Sequence, residues 1–136
     1  MAESSLAHKL QVKPGMKMLV MNAPDDYLKL LDKLPAGTEV TTKEGSTFDF
    51  IQVFVYNKAD IDRLAPKAIR AVKPGGMLWF SYPKKTGAIK TDIHRDVGWD
   101  AVTNAGWEGV RLISVDDTWS ALRVRPTSEI KARRKG

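Results

Sequence analysis

Charged side chains of both signs crowd one short segment of the sequence, which follows the apolar run M-L-W-F-S-Y. They are Lys84, Lys85, Lys90, Asp92, His94, Arg95 and Asp96. Lysine ammonium groups bind phosphates or carboxylates, and an arginine can hold a carboxylate through two parallel hydrogen bonds. A histidine beside a carboxylate can move protons near neutral pH. The segment therefore has the groups that a site for an anionic or zwitterionic small molecule requires.

The same residues also have structural interpretations. Paired lysines such as Lys84 and Lys85 are usually solvated in a loop. Asp92 would suit the first turn of a helix, because a carboxylate interacts favourably with the positive end of the helix dipole. Arg95 could pair with Asp92 at a spacing of three residues instead of binding a ligand. Both interpretations stay open from the sequence.

Several kinds of catalysis are not expected from these residue types. The chain has no cysteine, so it has no thiol nucleophile, thiolate metal site or disulfide. Its histidines, His8 and His94, do not have the close spacing of a metal site, and no metal is predicted. Ser81 lacks the G-x-S-x-G motif of a serine hydrolase. The pair Asp116 and Asp117 could act as acid and base, or could simply favour a tight turn.

Apolar segments and helical patterns alternate along the chain. The predicted strands are Met16–Met21, Thr38–Thr42, Phe48–Tyr56 and Met77–Tyr82, with Gly109–Val115 and Trp119–Arg125 as a closing β-hairpin. Helical spacing is seen at Tyr27, Leu30, Leu31 and Leu34, from Ile61 to Val72, and from a cap at Thr91 to Ala101. This alternation predicts a single α/β domain of three layers, with a doubly wound, mostly parallel sheet and one antiparallel strand from the hairpin.

A ligand site in such a sheet is expected at the carboxyl ends of the strands, where the crevice of an open α/β fold lies. The polar residues predicted at this edge are candidate ligand-binding residues, and no catalytic residue is assigned. They are Asn22, Asp25, Tyr82, Lys84, Lys85, Asp92, Arg95 and Asp117. Trp99 is predicted on the polar face of the helix after Thr91, where it could cover the crevice, stack on a planar ligand or form a subunit contact.

Three sequence segments carry a resemblance to a known framework. They are K-P-G-M-K-M-L-V-M before a loop and helix, F-D-F-I-Q-V-F-V before the middle helix, and V-K-P-G-G-M-L-W-F-S after it. With the hairpin they resemble class I methyltransferases over most of residues 13–125. Together with S-Y-P-K-K, K-T-D-x-x-R-D and D-D-T-W-S-A-L-R, the chain more closely resembles a family of small bacterial proteins of unknown function. The resemblance implies a truncated, methyltransferase-like sheet.

The loop after the first strand departs from the methyltransferase pattern. It reads N-A-P-D-D-Y, with no glycine between Gly15 and Gly37, and Pro24 lacks a backbone donor. The acidic residue expected after the second strand has only Glu44 as a candidate, and the third strand–helix unit is missing. We therefore predict a degenerate cofactor loop and no bound cofactor, neither S-adenosylmethionine nor NAD.

The net charge of +6 is unevenly distributed. Half of it belongs to the segment after residue 127, through Lys131, Arg133, Arg134 and Lys135 against Glu129. We predict one domain over residues 1–126 and a basic, flexible tail over residues 127–136. The rest of the chain has no evident basic stripe, so a nucleic-acid partner is not expected. No segment is apolar enough for a signal peptide or a membrane span, which together with the lack of cysteine favours a cytoplasmic protein.

Three functions remain open from the sequence. The favoured one is a Rossmann-like binding domain with a degenerate cofactor loop, for a small ligand or a protein partner. The second is a small enzyme on an anionic metabolite, with Lys84, Lys85 and Arg95 positioning it and Asp92, His94 or Asp117 moving protons. The third is nucleic-acid binding through the tail. A homodimer through an exposed sheet edge is also open.

Overall fold

The computed structural model describes residues 9–24, 27, 34, 36–84, 91–93, 98–115 and 118–128. The described strands and helices follow the predicted alternation. They are β1 (Lys17–Met21), β2 (Glu39–Thr41), β3 (Phe48–Phe54), α1 (Lys58–Ala71), β4 (Val72–Pro83), α2 (Asp100–Asn104), β5 (Trp107–Ser114) and β6 (Trp119–Pro126). None of the helices in these ranges is long and apolar enough to cross a membrane.

The strands form one sheet in the order β2-β1-β3-β4-β6-β5. The pairs β1–β2, β1–β3 and β3–β4 are parallel, whereas β6 is antiparallel to both β4 and β5. One strand therefore runs against the others, which confirms the predicted sheet and its closing hairpin. Only residues 42–47 connect β2 to β3, too few for the crossover of another strand–helix unit.

An apolar layer covers each face of the sheet. The central strand β3 and the second half of β4 are therefore buried on both faces. α1 packs on one face through Ile61, Leu64, Ala65 and Ala68. The other face is covered by residues that precede and follow β1, namely Leu10, Val12, Tyr27 and Leu34. Near the end of the sheet, Arg123 of β6 donates from Nη1 to Gln11 Oε1 at 2.9 Å, which links this covering segment to β6.

α1 begins after Asn57, whose side chain accepts a hydrogen bond from the Asp60 N–H at 2.9 Å. Pro66 would be expected to kink or interrupt a helix, but α1 continues through it, and Pro66 is exposed. It ends at Ala71 and β4 starts at the next residue. Residues 73–76 have the sequence K-P-G-G, which is typical of the end of a helix, but they lie within β4, where its register with β3 shifts.

The helix predicted to begin at Thr91 is wrong at its start. Residues 91–93, 98 and 99 are not helical, and α2 begins only at Asp100. Thr91 Oγ1 accepts the Ile93 N–H at 3.1 Å, so this hydroxyl stabilises a local turn. Gly98 has a φ of +102°, which no helix accommodates. Residues 94–97 lie outside the described ranges.

Candidate functional site

The carboxyl end of β1 carries the first predicted site residue, Asn22. Its φ is +59°, in the left-handed region, which asparagine tolerates better than most residues other than glycine. Its exposed side chain donates from Nδ2 to the carbonyl oxygen of Phe54 at 2.9 Å, across the end of the neighbouring β3. Asn22 therefore closes the sharp turn after β1 without glycine, and its amide is already used within the fold.

Lys84 lies at the same edge, directly after β4. Its backbone N–H donates to Thr118 O and its Nζ donates to Ser114 Oγ, both at 2.7 Å. The hairpin turn therefore lies beside the end of β4, in agreement with the pairing of Pro83 with Trp119. The ammonium group is held by a neutral hydroxyl and makes no ion pair with any described carboxylate. It is a positioned positive charge at the predicted site.

Asp92 is also at this edge. It was expected in the first turn of the helix from Thr91, but its side chain caps the start of α1 instead. Its Oδ1 accepts the backbone N–H of Lys58 at 2.8 Å, at the first residue of α1. This contact satisfies a backbone donor that has no partner within the helix and places a negative charge at the positive end of its dipole. The structural interpretation of Asp92 is therefore the one that the geometry favours.

The charges around this helix terminus also act on Lys58. A hydrogen bond from its Nζ to Asp62, 3.0 Å away, is the main reason why the pKa of Lys58 is raised above its ordinary value. The negative charges of Asp62, Asp100 and Asp92 add to this effect. Lys58 thus stays protonated and is committed to the carboxylates beside it.

Tyr82, the next predicted residue, is buried in the core. Its ring meets Trp99 edge to face, with centroids 5.5 Å apart, and Trp99 meets Phe80 in the same way at 5.7 Å. Trp99 is only 9% exposed, so it packs beneath the edge and does not cover a crevice. These ring contacts place Trp99 in the apolar layer on the α1 face of the sheet.

A chain of buried hydrogen bonds lies on the opposite face. The hydroxyl of Tyr27 bonds to Gln52 Oε1, and Gln52 Nε2 donates to Ser81 Oγ at 2.8 Å. Gln52 and Ser81 are completely buried, and Tyr27 is 3% exposed. These hydrogen bonds join Tyr27, which follows β1, to the central strands β3 and β4. Ser81, inaccessible and bonded to an amide, has no environment for a nucleophile.

Sequence reasoning missed this hydrogen-bond chain. The segments F-D-F-I-Q-V-F-V-Y and M-L-W-F-S-Y were interpreted as simply apolar, although each contains one polar residue at a position that must be buried. A buried amide and a buried hydroxyl both need partners. The presence of one in each of two adjacent strands was the available signal.

Aromatic rings pack around Tyr27, at one end of these buried hydrogen bonds. Phe54 contacts Tyr27 and Trp119, with ring centroids 4.5 and 5.0 Å away, and Tyr56 contacts Trp119 at 5.0 Å. All three contacts are edge to face, the geometry that aromatic rings prefer. These four side chains fill the space above β1, β3 and β6 at the carboxyl edge, on the face that the segment after β1 covers.

The other predicted residues, Asp25, Lys85, Arg95 and Asp117, lie outside the described residues, as does His94. The structure thus brings Asn22, Lys84 and Asp92 to the carboxyl edge and buries Tyr82 beneath it. Within the described ranges, no group of three histidine, aspartate or glutamate residues lies close enough to hold a metal ion.

The described residues do not fit S-adenosylmethionine in the way that a glycine-rich loop would hold it. The turn after β1 is closed by Asn22 and followed by Pro24, which removes a backbone donor. Glu44, the candidate for the acidic residue after the second strand, lies elsewhere. It lines a cavity with Thr47, Arg70 and Ala71, at the amino end of β3 and the end of α1. The acidic residue and the loop are therefore at opposite edges of the sheet.

Comparison with known proteins finds similarity in structure alone. No protein-family model and no curated protein matches the sequence. Among solved structures, the chain is similar to the ribosomal protein L11 methylase of Lactobacillus delbrueckii subsp. bulgaricus, at 11% identity and a TM-score of 0.53, over 89% of this chain and 74% of that one.

Two further methyltransferases have the same fold. A SAM-dependent methyltransferase from Aquifex aeolicus has 13% identity and a TM-score of 0.57, with 85% of each chain covered. The mitomycin 7-O-methyltransferase MmcR has 9% identity and a TM-score of 0.64, over 89% of this chain and 52% of that one. Identities this low show the fold alone. The chain is an α/β protein with a truncated, methyltransferase-like Rossmann framework.

Proposed function

We propose that this chain is a binding domain for a small anionic ligand at the carboxyl edge of its sheet. The observation that carries the proposal is the ammonium group of Lys84, held at this edge by Ser114 and paired with no described carboxylate. A positioned cation without a counter-charge among the described residues favours a phosphate or carboxylate ligand. Lys85 and Arg95 follow in the sequence and would add to the positive charge.

A binding role is better supported than catalysis. Asp92, proposed from the sequence as a proton carrier, is used to cap α1, and Ser81 is enclosed. Structures similar to this chain include DhpI in complex with SAH and ChlM with bound SAM, which supports small-ligand binding by a domain of this fold. The absence of a matching loop and acidic residue argues that the ligand here is a different one.

Native mass spectrometry and thermal unfolding test this proposal. The purified protein is measured as isolated, and then with inorganic phosphate, citrate or S-adenosylmethionine added in excess. We expect a retained ligand mass, or a rise in Tm with phosphate or citrate, because a ligand at a hundred times its Kd stabilises the folded state by about 2.7 kcal/mol. S-adenosylmethionine is expected to produce neither effect.

The variant Lys84→Met should lose this binding. Lys43→Met is the matched control, because Lys43 is exposed and lies in the connection from β2 to β3. Equal ligand binding by wild type and Lys84→Met would refute the role of this ammonium group. No retained mass and no effect of any of the three compounds would refute a small-ligand site.

The alternative to a small ligand is a second copy of this chain, which the exposed apolar side chains of β5 favour as a binding partner. β5 is the end strand of the sheet, and Val110 and Leu112 on it are each 43% exposed. Exposed apolar side chains on an end strand, whose outer edge has no neighbouring strand, are typical of an interface. The same mass spectra give the subunit count, and a dimer that is lost in Leu112→Lys would establish this contact.

A further inference from the structure

Two similar turns lie side by side at the amino edge of the sheet, opposite the site proposed above. One is Lys13-Pro14-Gly15 before β1, and the other is Lys73-Pro74-Gly75 in β4. Both glycines have a φ of +79°, the conformation that a proline–glycine type II turn requires. The turns line a cavity of about 380 Å³, with Asp49 of β3 between them.

Asp49, the one carboxylate among the described residues that line this cavity, is already neutralised. Asp49 Oδ2 accepts the backbone N–H of Lys17 at 2.9 Å, and its Oδ1 lies 3.5 Å from Lys73 Nζ. The ammonium group of Lys13, on the other turn, makes no hydrogen bond or ion pair with a described residue. The cavity therefore retains a positive charge.

A second cavity, of about 650 Å³, continues this surface along the end of α1. It is lined by two cations, Lys67 and Arg70, and one carboxylate, Glu44, so its described lining has a net positive charge. The two cavities are linked by Lys17, which starts β1 and donates from Nζ to Ser46 Oγ at 2.7 Å. Lys67 and Arg70 are one turn apart on α1 and exposed, and neither side chain bonds to a described residue.

We infer that this amino edge binds the phosphate backbone of a nucleic acid through Lys13, Lys67 and Arg70. These cations lie at positions 13, 67 and 70, so no basic stripe is visible in the sequence, and the fold alone brings them to one edge. The proposal is independent of the ligand site at the carboxyl edge and of the tail that follows residue 127.

The shape and chemistry of the surface favour a macromolecule over a metabolite. Both cavities are open: most lining residues are exposed, and the positions of a Cβ on Gly15 and Gly75 meet nothing within 4 Å. Small-molecule sites enclose most of their ligand. A protein interface would have an apolar or aromatic centre. The ring of Phe48, at this edge, is buried, with the Lys17 ammonium 5.1 Å from its centroid. Polar, positive interfaces are typical of nucleic-acid binding.

Fluorescence anisotropy with labelled RNA and DNA duplexes of the same sequence tests the inference across a range of salt concentrations. Three phosphate contacts predict a slope of about −2.7 for log K against log[salt], since each contact contributes about 0.9. The double variant Lys67→Gln/Arg70→Gln should reduce the slope to about −0.9, and each substitution should weaken binding about tenfold near 0.05 M salt.

The matched comparison is Arg70→Gln against Arg111→Gln, which removes the same charge from the exposed end strand β5. Circular dichroism of each variant establishes that it is folded. Binding of either duplex that is weakened by Arg70→Gln and not by Arg111→Gln supports the inference.

Three results would overturn it. They are the absence of binding to both duplexes at low salt, equal losses from Arg70→Gln and Arg111→Gln, and an unchanged slope in the double variant. A poly-glutamate peptide is titrated in parallel. Binding to this peptide with none to either duplex would also overturn the inference and assign the surface to an acidic protein.

Discussion

Removal of the Tyr27 hydroxyl provides a direct test of the buried hydrogen-bond chain. In Tyr27→Phe the ring can keep its edge-to-face contact with Phe54, at 4.5 Å between centroids. What is lost is the bond to Gln52 Oε1. Gln52 is completely buried, so water cannot replace the hydroxyl without opening the core.

The magnitude follows from this burial. A typical intramolecular hydrogen bond contributes about 0.5–1.5 kcal/mol net, but a buried acceptor left without its partner costs about 1–3 kcal/mol. We therefore expect Tyr27→Phe to lower the free energy of unfolding by about 1–3 kcal/mol. Ser81→Ala should cost a similar amount, because it removes the acceptor of Gln52 Nε2. Ser128→Ala, at an exposed hydroxyl, should change stability by less than about 0.5 kcal/mol.

Urea unfolding followed by circular dichroism and tryptophan fluorescence measures these differences. With a slope of about 2 kcal/mol per molar, the midpoint should fall by about 1 M. The measurement is repeated in a Gln52→Leu background, where the amide is absent. There Tyr27→Phe should be neutral or stabilising, because the hydroxyl has lost the partner identified here.

The difference between the two backgrounds is the coupling energy of Tyr27 and Gln52. A loss in the wild-type background below about 0.5 kcal/mol, or an equal loss in both backgrounds, would refute the reasoning. The first result would mean that the hydroxyl does not satisfy Gln52. The second would mean that Tyr27 acts through its ring or through another partner.

Three other substitutions test particular contacts. Asp92→Ala should destabilise the protein by about 0.5–2 kcal/mol in thermal or urea unfolding, because the Lys58 N–H at the start of α1 loses its acceptor. Asp92→Asn keeps an acceptor, so a larger loss from Asp92→Asn than from Asp92→Ala would contradict this. Gly76→Ala should cost about 1–3 kcal/mol, since a Cβ there would lie 2.9 Å from the Lys73 carbonyl oxygen. Gly75→Asn should cost less, because its Cβ would meet nothing within 4 Å and asparagine adopts a positive φ more readily than most residues; the reverse order would refute this account of the turn. The pKa of Asp49 is held below its ordinary value chiefly by the backbone N–H of Lys17, with help from Lys73, so its contribution to stability is present above about pH 4 and is lost as the pH falls through the lowered pKa. Asp49→Asn should therefore lose less stability than wild type between about pH 5 and 2 in urea titrations, and identical pH profiles would show that this carboxylate does not matter.

Much of the fold was predictable from local patterns. The run from Phe48 to Tyr56 is apolar and β-branched enough for a central strand, and β3 occupies nearly this range. The hairpin was predicted from two strand-like segments around a short polar connection, and β5 and β6 pair as expected. The helix from Thr91 was predicted from its apolar spacing, which gave no weight to Gly98. At Trp99, the tertiary contacts with Phe80 and Tyr82 outweigh helical propensity.

Candidate site residues were predicted less completely, since a side chain's partner is set by the fold. Asn22, Lys84 and Asp92 do lie at the predicted edge, because the carboxyl ends of parallel strands meet there whatever the loops contain. That Asp92 would cap α1, 34 positions away from Lys58, could not be known from either segment alone. The same holds for Gln52, whose partners Tyr27 and Ser81 are 25 and 29 positions distant.

By itself, the sequence determined the alternation of strands and helices, the missing third strand–helix unit and the loss of a glycine-rich loop, since these depend on periodicity, length and residue type within short segments. Only the tertiary structure decided which charges meet. Asp92 caps the start of α1, and Lys84 has no described counter-charge. Lys13, Lys67 and Arg70 lie at one edge of the sheet. The physical reason is that electrostatic and hydrogen-bonding contacts act over a few ångströms in space, a distance that separation along the chain does not specify.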